Sequence, residues 1–387
     1  METRTFRIYL DNAATTALSD KVLEAMLPYL KDLCGNPSSI HTEGRKARRA
    51  VESARRSVAG AIGAEAGEIF FTSGGSESDN WALRGALRPL EGTGKNHIIT
   101  SCVEHHAVLH TVDALEKQGW QVTRLPVDAC GRICMDDLRA AIRPETALIS
   151  IMAANNEVGT LQPIGEIGLL AKEAGVLFHT DAVQAAGSLP IRVKDWNVDL
   201  LSLSGHKFHG PKGVGALYVR RGVRIDPLIT GGAQEKALRA GTENVPAIVG
   251  MGEALRLAEA DREATAARLA AMRDRLIAGL MEKVPDCRLN GHPVERLPGN
   301  VNISFPGVEG ESLLMRLDLA GIAASAGSAC TSGSLESSHV LRAMGLSEEE
   351  ARGSLRLSLG KDNTDEEIGR VLEILPPIVA ELRSLRQ

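Results

Sequence analysis

The chain has 387 residues, more than a single globular core of about 100–200 residues takes up, so two domains, or one large domain with an attachment, are expected. Its 44 Lys and Arg against 49 Asp and Glu leave a net charge of −5, which excludes a broad basic field for nucleic acid or an anionic membrane. Six cysteines spread over this length do not make the dense framework of a small secreted scaffold and are expected as reduced thiols.

The first ten residues contain no apolar core of signal-peptide length, and no later segment approaches the ~20 uninterrupted apolar residues of a membrane span, so a soluble, cytoplasmic protein is expected. Short apolar runs at residues 68–72, 96–100, 147–152, 176–179 and 198–203 alternate with segments of helical period, which predicts an α/β domain with a largely parallel sheet. The runs are apolar throughout, as in strands covered on both faces. Each is followed by a polar or glycine-rich cluster: Gly74-Gly75-Ser76-Glu77, Glu104-His105, Asn155-Asn156-Glu157, Asp181-Ala-Val-Gln184 and Ser204-Gly-His-Lys207. In an open α/β sheet the ligand crevice lies beyond the carboxyl ends of the strands, so these clusters should converge on one site. Beyond Pro246, Leu269, Met272, Leu276 and Leu280 are spaced three and four apart after Leu255, predicting a helix that carries the chain out of the sheet domain. From about Val284 onward, strand-like pieces at 300–305 and 354–359 and a final amphipathic helix read as a smaller α+β domain.

The turn Ser73-Gly74-Gly75-Ser76-Glu77-Ser78-Asp79 feeds a helix whose free amides and dipole suit a phosphate, or it is a plain N-terminus capped by Ser76. It lacks the lysine of a nucleotide P-loop. Asp181, at the end of a buried strand, needs a cation or several donors, either a protonated pyridine nitrogen or the amides of a helix it caps. Gln184 is placed to reach the neighbouring ring oxygen. Lys207 sits on a tight turn at a strand end, where burial or a nearby cation can favour the neutral amine that Schiff-base formation needs. Cys330 lies in Ala324-Ser-Ala-Gly-Ser-Ala-Cys330-Thr-Ser-Gly-Ser334, a run of small residues that suits a reactive thiol better than a buried one. Cys130 and Cys134 form a single Cys-x₃-Cys and read as a turn, and the pairs His105-His106 and His206-x-x-His209 do not require a metal. Arg356, inside a strand-like run, is shaped to clamp a carboxylate, with an edge-strand surface arginine as the alternative.

Together the segments Tyr9-Leu-Asp-Asn-Ala-Ala-Thr-Thr16, Gly35-Asn-Pro-Ser-Ser39, Phe71-Thr-Ser-Gly-Gly-Ser-Glu-Ser78, Ala154-Asn-Asn-Glu157, His179-Thr-Asp-Ala-Val-Gln184, Ser204-Gly-His-Lys207, Arg239-Ala-Gly-Thr-Glu-Asn244 and Gly327-Ser-Ala-Cys-Thr-Ser332 resemble the NifS/IscS-type cysteine desulfurases of the class V aminotransferase group. The resemblance is nearest the nitrogenase-associated NifS branch. It departs at Ala326, where the family's usual pattern has serine, and at Cys130 and Cys134. The sequence also ends short of the C-terminal extension with which related enzymes meet an iron–sulfur scaffold.

The resemblance implies a pyridoxal-phosphate transferase fold of type I, α/β with a mainly parallel seven-stranded sheet in a large domain of residues 16–256. A smaller α+β domain of residues 1–15 and 257–387 would carry the catalytic cysteine. It implies pyridoxal 5'-phosphate as cofactor, with Lys207 forming the Schiff base, His105 stacked on the ring, Asp181 on its nitrogen and Gln184 on its phenolic oxygen. Gly75, Ser76, Ser204 and His206 would hold the phosphate, joined by Thr242 from the other subunit of a homodimer, and Asn155 and Arg356 would bind the substrate carboxylate. The implied reaction turns L-cysteine into L-alanine and leaves the sulfur on Cys330 as a persulfide. The acceptor would be an iron–sulfur scaffold, nitrogenase assembly being one destination. No resident metal is implied, and Cys330 would meet a nascent cluster only through its persulfide.

Overall fold

The computed structural model describes residues 7–326 and 337–385. In chain order its strands are β1 (Ile8–Tyr9), β2 (Ile69–Thr72), β3 (His97–Ser101), β4 (Gln121–Leu125), β5 (Thr146–Ser150), β6 (Leu177–Asp181), β7 (Leu200–Ser204), β8 (Gly215–Val219), β9 (Arg288–Leu289), β10 (Asn300–Ser304), β11 (Ile322–Ala323) and β12 (Ser354–Ser358). Seven of them form one sheet in the order β2-β8-β7-β6-β5-β3-β4. All its pairings are parallel except the two that β8 makes, so the expected mainly parallel sheet is present.

Successive residues of the central strands enter different cores because side chains alternate across a pleated strand. Phe71, Ile99, Ile149 and Leu201 pack with the helices Thr42–Ile62, Ile164–Ala174 and Val245–Ala260. Their neighbours Phe70, Ile98, Leu148 and Leu200 pack on the other face with Gly75–Leu87 and His106–Glu116. Two covered faces explain why these strands read as unbroken apolar runs. The helix expected after Pro246 is two, Val245–Ala260 and Arg262–Lys283, meeting at Asp261, whose φ of −110° and ψ of 7° are not helical. Leu255 before the break belongs to the sheet core, whereas Leu269, Met272, Leu276 and Leu280 after it belong to a separate core. That second core is built on the three-stranded antiparallel sheet β12-β10-β9 and the helices Gly310–Leu319 and Asp365–Ser384. Residues 10–16 run from β1 back toward the large sheet, where Thr16 N–H donates to the His206 carbonyl. Among the described residues no helix is long and apolar enough to cross a membrane.

Candidate active site

The carboxyl ends of β2, β3, β5, β6 and β7 open on a cavity of about 360 Å³ lined by Gly75, Ser76, His105, Asp181, Gln184, Ser204, His206, Lys207 and Arg356, among others. These sequence-predicted residues therefore come together. Two others, Asn155 and Thr242, do not. Asn155 is fully buried outside the lining: its amide donates to the Val103 carbonyl at 3.0 Å and its Oδ1 accepts from Glu157 and Val158 at 2.8 and 2.9 Å. Its Oδ1 shapes its own loop and its amide ties that loop to Val103, while Asn156 lines the cavity. Thr242 is exposed on a loop that Arg239 ties to Glu77, in the first turn of helix Gly75–Leu87, at 2.9 and 3.1 Å. Cys330 lies outside the described residues.

The helix Gly75–Leu87 begins at Gly74 with no side-chain cap, so the alternative of a Ser76 cap is not what forms. Its first residues, Gly75 and Ser76, line the cavity together with Ser204 and His206, and a helix N-terminus carries free amides. The turn before it is closed from within: Thr72 and Ser78 hydroxyls meet at 2.8 Å, Ser78 donates to the Gly74 carbonyl at 3.1 Å, and Ser73 N–H donates to Glu77 at 2.9 Å. Two glycines make the close approach possible. A Cβ at Gly75 would stand 2.8 Å from Val183 Cγ2, and one at Gly215 would stand 2.7 Å from the Gly74 backbone.

Lys207, on the single turn after β7, donates from Nζ to the carbonyls of Ala13 at 2.6 Å and Ala14 at 2.8 Å. Gln184 Nε2 donates to the same Ala13 carbonyl at 2.9 Å. Segment 13–14 thus fixes both side chains, a role that its small apolar residues did not announce. His105 caps the helix His106–Glu116, its Nδ1 accepting from Ala107 N–H at 3.1 Å. Burial and then the Lys207 charge hold this ring down at about 4, so it is neutral with its proton on Nε2. His206, bonded through Nδ1 to Thr15 Oγ1 at 3.1 Å, is held near 4 for the same two reasons. Arg356 is 1% exposed. Its Nη2 donates to Asp11 Oδ1 at 2.9 Å and its Nη1 to the Asn156 carbonyl at 3.0 Å, while Nε is buried with no partner. β12 is an edge strand, as the bland reading required, but a bridge to Ser325 covers Arg356.

Asp181 belongs to a buried polar seam whose other members, Asp79, His179 and Glu104, sequence reading gave no role in the site. Asp181 accepts from Val183 N–H at 2.9 Å, and burial raises it to about 6, opposed by that bond and by Lys207. Asp79, whose Oδ1 has no hydrogen-bond partner, is raised by burial and by Asp181. His179 bridges Ser150 at 2.8 Å and Ser202 at 3.0 Å and is kept neutral by burial. Glu104 accepts from Ser101 Oγ at 2.6 Å and Met152 N–H at 3.0 Å, and burial lifts it to about 8. Between the ordinary value of 4.5 and about 8, Glu104 is protonated when folded and ionised when unfolded, so stability falls as pH rises through that window. The Glu104→Gln protein, free of cofactor, is expected to gain roughly 2 kcal/mol at pH 8 and nothing at pH 4.5. Denaturant melts at the two pH values check this, and equal shifts at both would refute it.

The Cys130 to Cys134 segment is a turn: Asp128 Oδ1 accepts from Cys130 and Arg132 N–H at 2.8 and 3.0 Å. Among the described residues no group of three or more His, Cys, Asp or Glu is arranged to hold a metal ion.

The model of the aminotransferase class-V family matches residues 8–371. The chain belongs to the class-V aminotransferase family. It is 59% identical over 378 residues to "Cysteine desulfurase IscS" of Methanosarcina thermophila, covering 98% of this chain and 93% of that protein. Among solved structures, a "NIFS-LIKE PROTEIN" superposes with a TM-score of 0.91 at 40% identity, over 97% of this chain and 100% of that one. A structure titled "SspA in complex with cysteine" gives a TM-score of 0.81 at 41% identity, over 92% and 100% of the two chains. Class-V aminotransferases work with pyridoxal phosphate. The donor set of this cavity fits that group: an uncapped helix terminus beside Ser204 for the phosphate, a lysine amine for the aldehyde and a buried carboxylate for the ring nitrogen.

Proposed function

We propose that the chain is a pyridoxal-phosphate-dependent cysteine desulfurase that converts L-cysteine to L-alanine and supplies the sulfur, through an enzyme persulfide, to iron–sulfur cluster assembly. The observation that carries the reading is the convergence of Lys207, Asp181 and the Gly75 helix terminus on one cavity, in a chain whose relatives bear that name. When bound, the cofactor supplies an electron sink for the carbanion at the substrate Cα.

Lys207 is the residue that holds the cofactor covalently, and its Nζ is the group that takes the Cα proton once freed. Asp181, ionised at neutral pH by the value above, keeps the ring nitrogen protonated, His105 lies against the ring, and Gln184 meets its phenolic oxygen. Gly75, Ser76, Ser204 and His206 hold the phosphate. Arg356 takes the substrate carboxylate in its fork, with Asp11 and the Asn156 carbonyl fixing the guanidinium plane. Asn155 enters only by shaping the loop that presents Asn156. Cys330 takes the sulfur. Residues 16–256 form the cofactor domain, with 1–15 and 257–387 as the second domain.

A homodimer completes the site, with Thr242 reaching the phosphate of the other copy. Two features support it: the exposure of Thr242, and the exposed apolar stripe of Leu23, Leu27 and Leu30 on helix Asp20–Lys31. The setting is the cytoplasm and the acceptor an iron–sulfur scaffold protein, with nitrogenase assembly as a candidate destination. The test is direct. Purified protein loaded with pyridoxal phosphate should elute as a dimer and form equal amounts of alanine and sulfide from L-cysteine with a thiol reductant. Pyruvate in place of alanine, or no sulfide, would refute the reading.

A further inference from the structure

His106, His110 and His339 form a ladder of rings outside the set assigned so far. His106 stands 4.7 Å, centroid to centroid, from His339 and 4.9 Å from His110. His106 and His339 line the cavity, whereas His110, one helical turn further along, is exposed, so the ladder joins the cavity to solvent. His339 Nε2 lies 3.0 Å from the Glu104 carbonyl. A carbonyl only accepts, so that nitrogen carries the proton and Nδ1 keeps a bare lone pair. His106 Nδ1 is buried with no hydrogen-bond partner.

The other titratable groups around His106 are His105, 6.4 Å away, and Glu157, a buried carboxyl bonded by Ser338 Oγ. Burial and the neighbouring rings hold His106 below the usual histidine range, against Glu157. Burial and His110 do the same to His339, against its bond to the Glu104 carbonyl. The rings are therefore neutral and able to accept a proton at physiological pH.

We propose that His106, backed by His339 and His110, is the catalytic base and proton store for the thiol that attacks the substrate sulfur. This rests on the desulfurase reading above. The attacking S–H bond breaks and its proton passes to an imidazole nitrogen. The thiolate forms the S–S bond as the C–S bond breaks, and the C–S electron pair stays with the carbon, which takes up a proton. Carbon is reduced by two electrons and the two sulfurs are oxidised by two, so no outside redox partner is needed. One proton is released and one consumed, so the ladder stores a proton and exchanges it with water at His110.

The test uses the cofactor-loaded, full-length protein with alanine formation as readout. His106→Ala is expected to lose about 10²-fold in kcat with KM for cysteine within about threefold, and added imidazole should restore about tenfold. His106→Gln, which keeps the bulk but cannot carry a proton, should show the same loss without rescue. In the cofactor-free protein, His110→Ala should move the NMR titration midpoint of His106 upward by removing one of the rings that hold it down. A wild-type protein that forms no alanine would defeat the desulfurase reading. An active wild type whose two His106 variants stay within threefold, or a folded His106→Ala that imidazole does not help, would overturn the base. An unmoved His106 midpoint would overturn the ladder.

Discussion

Replacing Lys207 by alanine is expected to give a folded, colourless protein with at least about 10³-fold less alanine formation from cysteine. Lys207 lines the same cavity as Asp181 and the Gly75 helix terminus, where a carbonyl-reactive amine is useful. Its removal leaves the Ala13 and Ala14 carbonyls without their lysine donor, a cost of roughly 1–2 kcal/mol that a domain of this size tolerates. Gln184 still donates to Ala13, so the segment keeps one anchor. Cofactor binding and folding are thus separable. Absorbance after dialysis against pyridoxal phosphate reads the first, and circular dichroism the second. Lys207→Arg keeps a cation of similar reach but cannot form the Schiff base, and should be as colourless as Lys207→Ala. A variant that stays yellow through dialysis and still turns over would sink the assignment.

The sheet was legible where its physics is strongest. β2, β3, β5, β6 and β7 are buried on both faces and announce themselves as apolar runs, each within two residues of its expected end. β4, Gln121-Val-Thr-Arg-Leu125, was not legible: it is the sheet edge, half-exposed, and its polar residues break any apolar run. β8 begins at a glycine just after the Pro211-Lys212-Gly213 turn and runs antiparallel to its neighbours, so no crossover helix marks it. The break at Asp261 is invisible to periodicity because the helix resumes at the next residue, Arg262, although the side chains on its two sides face different cores.

At the site, residue type carried the reading for groups at strand ends, since polar residues after an apolar run have few other reasons to be there. It failed where a side chain turns away from the crevice its neighbours line. Asn155 and Asn156 are chemically alike, and only the hydrogen bonds made in the fold, within the loop and to Val103, decide that the first is consumed internally and the second lines the cavity. The partner of Arg356 was equally hidden: Asp11 lies 345 residues away, and only the return of segment 10–16 alongside β12 brings it there. Glu104 and Asp79 stand in the sequence only as members of polar clusters that follow apolar runs, yet both are buried carboxyls, a state that only the fold imposes.

Cys330→Ala is expected to have the complementary phenotype to Lys207→Ala: full cofactor absorbance, with alanine and sulfide formation from cysteine down by about 10³-fold. The residue lies outside the described structure, but the chain on either side of it is anchored at the cavity. Before it, Ser325 exchanges backbone hydrogen bonds with Arg356 at 2.7 and 3.2 Å. After it, Ser338 donates to Glu157, and His339 lines the cavity wall. None of the described cysteines, Cys34, Cys102, Cys130, Cys134 and Cys287, is among the lining residues. A transaminase or selenocysteine lyase on the same fold would need Lys207 and Asp181 but not this thiol, so the comparison separates the chemistries rather than the folds. In the wild type, mass spectrometry after incubation with cysteine should find the Cys330 peptide heavier by one sulfur atom, reversibly with reductant. If Cys330→Ala retains wild-type sulfide release, another acceptor takes the sulfur, and the persulfide route fails while the cofactor site stands.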